Sequence, residues 1–206
     1  MADYTQANHT FIAQTHFTAG TTFAEVGTAD DVSGYLSGTV YIDHAPIEDA
    51  TANDPGITYE VQIAGPAVAN GDWTTIATFT ASTTASTMET LDGSSSATTI
   101  PVAATGDVDV RDHVYLRDDS DGAGATSGSE WAQVDYVTDG ESFAVLETPT
   151  YSYTTGEDVF ILGVARWAVD VDLAGVSQLR VVVWNPDDGG HNWASRAYAR
   201  YATAIE

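Results

Sequence analysis

The residues closest to a recognisable chemical device lie around Asp119. The run Arg117-Asp118-Asp119-Ser120-Asp121-Gly122 sets carboxylates ahead of a glycine, as half of a calcium loop does. An EF-hand loop takes oxygen ligands at its first, third, fifth and twelfth positions, with glycine sixth. Setting Gly122 sixth makes Arg117 first and Gly128 twelfth, and neither can serve as the ligand required. What remains is a choice between a solvated acidic turn, which we expect, and an irregular cation site built from Asp119, Asp121 and a backbone carbonyl. The run Asp187-Asp188-Gly189-Gly190-His191 poses the same choice between a hairpin loop and a weak cation site.

No other constellation points to a reaction. The five histidines (9, 16, 44, 113 and 191) are scattered, without a helical pair or HExxH spacing. His44 follows Asp43, which in a strand sends the two to opposite faces. Gly-x-Ser-x-Gly, Walker and Gly-x-Gly-x-x-Gly signatures are absent. Paired carboxylates could build a glycosidase site, but thirty acidic residues make chance pairs unavoidable. We therefore expect no enzyme, no catalytic residue, no cofactor and no resident metal. Five tryptophans and ten tyrosines could serve sugar stacking, with Trp184 and Trp193 the best placed because they flank the 185–192 loop. Trp73 and Trp167 sit in apolar alternation and are expected in a core.

The totals narrow the partners. A net charge of −24 comes with no lysine, and aspartate outnumbers glutamate by more than two to one. Such a chain repels itself in dilute salt, whereas at molar salt the Debye length falls to about 3 Å and the repulsion fades. Adaptation to concentrated salt is the reading we take. Nucleic acid is an unsuitable partner, since phosphate binding needs clustered Lys or Arg. Cysteine is absent, so disulfides and thiolate metal sites are excluded. No apolar run approaches the ~20 residues of a membrane helix, and the opening MADYTQANHTFIAQTHF shows no secretory signal pattern.

The elements that must position these residues are strands. In the last third, Trp167, Val169, Val171 and Leu173 alternate with Ala168, Asp170 and Asp172; Leu179, Val181 and Val183 alternate with Arg180, Val182 and Trp184; and Ser195 to Ile205 continues the pattern. Period-two alternation with one apolar face marks half-buried antiparallel strands. Four of the six arginines, 166, 180, 196 and 200, fall here. The first third supplies partners at Thr21–Val26, Leu36–His44, Ile57–Ala64 and Trp73–Thr80. Between them, from about Met88 to Leu162, strands shorten and turns crowd, with candidates at Thr99–Val102, His113–Arg117, Glu130–Val137, Ser142–Leu146 and Val159–Leu162. Neither outer piece has enough strands for a core of its own. We expect an all-β protein: an antiparallel β-sandwich, jelly-roll or immunoglobulin-like, from residues 30–87 plus 164–206, interrupted by an inserted small β-barrel at 88–163, with 1–29 an N-terminal arm or edge segment.

Two stretches resemble virion proteins of tailed viruses. Residues 88–162 are similar to a small barrel recurring there, through the Thr-Thr-Ile-Pro-Val start, the Asp-x-Val-Tyr-Leu strand and the Tyr-Ser-Tyr-Thr-Thr-Gly-Glu-Asp-Val close. The flanks, with Leu36–His44, Ile57–Ala64, Trp73–Thr80 and DLAGVSQLRVVVWN, resemble the sandwich that hosts this insertion in virus head proteins. With the lysine-free acidity, the resemblance implies a capsid decoration or turret subunit of a tailed virus infecting a haloarchaeon. Such a subunit is made in the host cytoplasm and placed on the capsid surface. Its partners would be copies of itself, the major capsid protein or other virion proteins, and host surface glycans, but neither nucleic acid nor membrane. A tail or neck component and a carbohydrate-binding adhesin stay open beside it. For assembly contacts we expect Phe11, Ile12 and Phe17 of the arm, which need burial from a neighbour unless the arm folds back on its own sandwich. Arg180 and Trp184, which share a strand face, complete that set.

Overall fold

The computed structural model describes residues 6–17, 23–24, 29–47, 57–66, 72–81, 88–93, 95, 97–118, 128–138, 140–161, 164–184 and 193–203. Every described element is a strand, and every pairing is antiparallel. The first six strands are β1 (Gln6–Phe17), β2 (Phe23–Ala24), β3 (Asp30–Asp31), β4 (Tyr35–Pro46), β5 (Thr58–Ala64) and β6 (Thr74–Thr80). The middle of the chain forms β7 (Met88–Thr90), β8 (Thr99–Pro101), β9 (His113–Arg117), β10 (Glu130–Thr138), β11 (Ser142–Val145) and β12 (Asp158–Phe160). The end forms β13 (Ala165–Asp172), β14 (Gln178–Trp184) and β15 (Trp193–Thr203).

They make three sheets. Sheet I has the order β1-β15-β4-β13, and sheet II the order β2-β14-β5-β6, with β3 also on β14. Both draw strands from the two ends of the chain, and their inner faces share one core. Val40 and Ile42 of β4, Ala197 and Tyr201 of β15, and Val171 of β13 meet Tyr59 and Val61 of β5 and Leu179, Val181 and Val183 of β14. This is the expected sandwich. Gly38 of β4 fits because it has no side chain: a Cβ there would stand 2.8 Å from the Tyr201 ring.

Sheet III, β7-β12-β9-β10-β11-β8, uses only strands from the middle of the chain. It encloses its own cluster, including Leu91, Ile100, Val114, Leu116, Val134, Phe143 and Val159. Its order is a path, not a ring; the ends meet at the isolated bridge Leu91↔Val102. A third, smaller cluster joins sheet III to the outer face of sheet I, with Tyr115, Trp131 and Phe160 against Ala45 and Ala194.

The opening segment takes the edge alternative, and the expectations for Phe11 with Ile12, for Leu36 and for Trp73 need correction. The opening segment is an edge strand of sheet I, hydrogen-bonded along β15 from Gln6↔Ala202 to Phe17↔Trp193. The sandwich sheets therefore begin before residue 30. Phe11 and Ile12 are buried in the sandwich's own core, so the chain itself supplies the burial these side chains require and they are not free to anchor a neighbour. Leu36, which strict alternation would set on one face with Val40 and Ile42, is 52% exposed; the register of β4 against β15 shifts between Ser37 and Tyr35, and Tyr35 packs against the core in its place. Trp73 is not a core residue either; it lies half-buried beneath the Arg180 guanidinium.

Candidate functional site: the outer face of the first sheet

Strand β4 runs between β15 and β13, and the register sets Asp43 opposite Arg166 on one side and Arg196 on the other. Residues level across neighbouring strands point to the same face, here the one turned away from the sandwich core. Arg166 donates through Nε to Oδ1 and through Nη2 to Oδ2 (3.2 Å). Arg196 donates to Oδ2 through Nε (2.9 Å) and Nη2 (2.6 Å). Asp43 is 0% exposed although it points outward, because sheet III lies over it. The Arg196 guanidinium also sits 5.0 Å above the Trp131 ring of β10. Burial works against the charge on Arg166, but the Asp43 carboxylate outweighs it and holds the guanidinium above its usual pKa. On β9, burial first and then nearby Arg166 push the His113 pKa down, against a smaller opposite pull from Asp43 and Asp112.

This arrangement is structural chemistry. A carboxylate offers about four lone-pair sites, and guanidinium N–H groups make four bonds to Asp43. Three reach Oδ2 and one reaches Oδ1, so both oxygens are engaged by cations fixed on the neighbouring strands. Ser195, whose hydroxyl donates to the Asp43 carbonyl oxygen at 3.4 Å, is fully buried. On the inner side, Nδ1 of His44 lies 2.8 Å from the Tyr59 hydroxyl, and burial drives the His44 pKa down to about 3.

The next rows of the same outer face carry aromatic and cationic groups. Tyr41 and Tyr198 stand opposite each other and stack at 5.0 Å with 17° between planes. Arg196 lies 5.4 Å from the Tyr198 ring and Arg200 lies 5.8 Å from the Tyr41 ring. One row further, Arg200, Thr39 and Asp170 align, and the Thr39 hydroxyl donates to Asp170 at 2.7 Å. Between this face and sheet III opens a cleft of about 400 Å³, walled by Trp131, Gln133 and Thr150 on one side and Arg166, Arg196 and Arg200 on the other. Trp131 is 8% exposed, and its indole N–H finds no acceptor among the described residues.

The outer face of sheet II holds the second polar cluster. Arg180 donates through Nε to Gln62 Oε1 (2.8 Å) and covers the Trp73 ring at 4.0 Å. Gln62 donates to Glu60 (2.6 Å) and to Thr75 (3.2 Å), whose hydroxyl donates to Glu60 at 3.1 Å.

The expected site residues are thus dispersed. Arg180 is tied into its own sheet, and Trp184 ends the same strand face, 42% exposed. Phe11 and Ile12 are core. Phe17 is placed by backbone register alone, and Asp119 and Asp121 lie outside the described residues, as does the 185–192 loop. Among the described residues no His, Asp or Glu group is arranged to hold a metal ion. Asp43, Arg166, Arg196, Tyr41, Tyr198 and Trp131 were not singled out by sequence. The concentration of arginines in the last third was the one visible signal. Two of those arginines, Arg166 and Arg196, meet Asp43 of their own sheet. The chain matches no family model, no curated protein and no solved structure.

Proposed function

We propose that this chain is a non-enzymatic virion structural protein, a capsid decoration or turret subunit that assembles as a homo-oligomer on the head of a tailed virus in concentrated salt. The observation that carries the non-enzymatic part is the state of the most buried carboxylate among the described residues: both oxygens of Asp43 are bonded by two arginines fixed on neighbouring strands, and it braces sheets. The viral part rests on the resemblance of residues 88–162 and of the flanking strands to head proteins of tailed viruses. The halophilic host rests on thirty acidic residues without a lysine. An interrupted sandwich with an inserted barrel at 88–163 fits strands β7–β12 forming a sheet apart from those before and after.

Sedimentation of the purified protein from dilute to about molar KCl tests this reading, since screening removes the self-repulsion only at the upper end. A discrete oligomer that grows in with salt and binds to capsid shells is the expected result. A monomer at every salt concentration sinks the decoration reading. A second reading, glycan binding as part of host attachment, is favoured by one feature, the exposed Trp184 ring on the outer face of sheet II. Loss of binding to a host-glycan array on Trp184→Ala would select it.

A further inference from the structure

The two sheets of the sandwich end together on one flank. Sheet I stops at β13 and sheet II at β6, and Phe79 of β6 stacks on Trp167 of β13 with ring centroids 5.4 Å apart and 22° between planes. Among the described residues no strand lies beyond either. Ala77 and Phe79 of β6, with Trp167 and Val169 of β13, pack on the core yet stay half-buried, and Ile76 is 38% exposed. The flank is an apolar seam between two open edges.

An open edge offers unpaired N–H and C=O groups to an incoming strand, and proteins guard it with charge, proline or bulges. β13 is guarded by Arg166, Asp170 and Asp172 along its outer face. β1, the edge of sheet I on the opposite flank, is broken by two register shifts. β6 has one, at Ile76, and from Ala77 to Thr80 it runs in regular register along β5. It holds neither charge nor proline. Charged residues make up 17% of the chain, yet none occurs from Trp73 to Met88. The acid on the neighbouring strand, Glu60, is held by Gln62 and Thr75. The ladder also shows which groups are free. The Ala81 amide donates to the Ile57 carbonyl at 2.8 Å. Antiparallel bonding alternates along a strand, so Phe79 and Ala77 bond to β5 while Thr78 and Thr80 turn their N–H and C=O groups to the open side. The charge of the chain points to the occupant. For a neutral or basic partner an acidic edge is no handicap; a neutral edge is required only by a partner as acidic as this chain, which carries −24. Two β6 strands laid antiparallel set threonines and apolar side chains across from one another, with no like charges facing.

Resting on the homo-oligomer reading above, we propose that β6 pairs antiparallel with β6 of a second copy about a two-fold axis, so that sheet II runs on through both copies and their apolar seams close on each other. Backbone hydrogen bonds along the open edge hold the pair, as in other cases of strand addition. The contact is self-complementary and joins copies two by two. Because it contains no charge, it gains from salt that screens the repulsion between the remaining surfaces.

Thr78→Pro tests this directly. It removes an outward amide and leaves the bonds to β5 in place, since proline is tolerated on an edge strand where its N–H would face solvent. The axis repeats the loss in both copies, so sedimentation in about molar KCl should show association weakened about tenfold or more, with the strand signal in circular dichroism unchanged. Thr78→Glu keeps the amide but adds like charges to the pair, and should raise the salt concentration at which the oligomer appears. Thr10→Glu, the same change at an exposed position of β1, should leave assembly as it was. If Thr78→Pro loses its strand signal, Thr78→Glu carries the test. An oligomer indifferent to both Thr78 variants overturns the edge pairing while sparing the assembly reading, and so does one lost only on Thr10→Glu. An oligomer of odd order overturns it too, because one copy is then left without a β6 partner. A Thr78→Pro chain that keeps its oligomer but no longer binds capsid shells assigns the edge to a shell protein and also overturns the proposal. A chain that stays monomeric throughout removes the proposal together with the reading beneath it.

Discussion

The two outer faces of the sandwich carry the same device in different surroundings. On sheet II, Arg180 covers Trp73 at 4.0 Å and ties into Gln62, Glu60 and Thr75, with Glu60 half-buried and Thr75 exposed. On sheet I, Arg196 covers Trp131 at 5.0 Å and, with Arg166, grips an Asp43 that is entirely buried. Strand geometry produced both, since each places an arginine beside a polar partner on the neighbouring strand. Only sheet I is covered by sheet III. Burial raises what is at stake, because a carboxylate removed from water and then stripped of its counterions has nothing else to turn to, whereas an exposed one recovers its hydration.

The largest effect should come from Asp43. Replacing it by Asn leaves two guanidiniums beside each other under sheet III, and breaking a buried pair costs about 3–5 kcal/mol. Chemical denaturation should show this as a fall in the midpoint. A loss below about 1 kcal/mol, the range of exposed pairs, would remove the contrast between the faces.

The contrast can also be erased by design. Removing residues 90–161 and bridging with a short Gly/Ser linker uncovers sheet I along with Ala45 and Ala194. If the sandwich is the unit we propose, the product folds. In that background Asp43→Asn should cost no more than about 1 kcal/mol, since the carboxylate then faces water. An unchanged cost would mean that the arginines bury Asp43 without help from sheet III, and an unfolded product would mean that the sheets share one cooperative core.

The adjacent residue gives a pH signature. His44 points inward with a folded pKa of about 3, below its ordinary value near 6.5. The unfolded chain therefore takes up the proton first, and the stability held above pH ~6.5 drains away as pH falls towards 3, at up to about 1.4 kcal/mol per pH unit. His113, lowered in the same direction by burial, adds to the slope. Between pH 6.5 and 5, where most carboxylates stay ionised, denaturation midpoints should drop, and His44→Gln should flatten that drop. An equally steep slope in the variant would place the effect elsewhere.

The smallest effect belongs to sheet II. Arg180→Ala and Glu60→Gln should each cost about 1 kcal/mol or less, as exposed pairs do, and the double substitution should cost nearly the same as either alone, because both act on one network. A cost near that of Asp43→Asn would reveal a covering partner over sheet II.

The all-β class, the position of most strands and the change of character near Met88 follow from local pattern. Alternation at Ile57–Ala64 and Leu179–Val183, and dense turns between 90 and 160, state a preference that each short segment expresses without its neighbours. The last segment, Trp193–Thr203, is less legible: its alternation reads as a strand while its alanines leave a short helix open, and pairing with β1 and β4 makes it a strand. What tertiary structure alone decided is who stands beside whom. Whether Phe11 and Ile12 reach outward or fold into their own sheet depended on an empty edge of β15, which no residue near them announces. Asp43, Arg166 and Arg196 are separated by more than a hundred residues on one side and about thirty on the other, and only the register of β4 between β13 and β15 makes them one row. A strand's alternation gives each side chain a face, but strand order, register and the sheet lying above determine its partners and its dielectric, and those are properties of the whole fold.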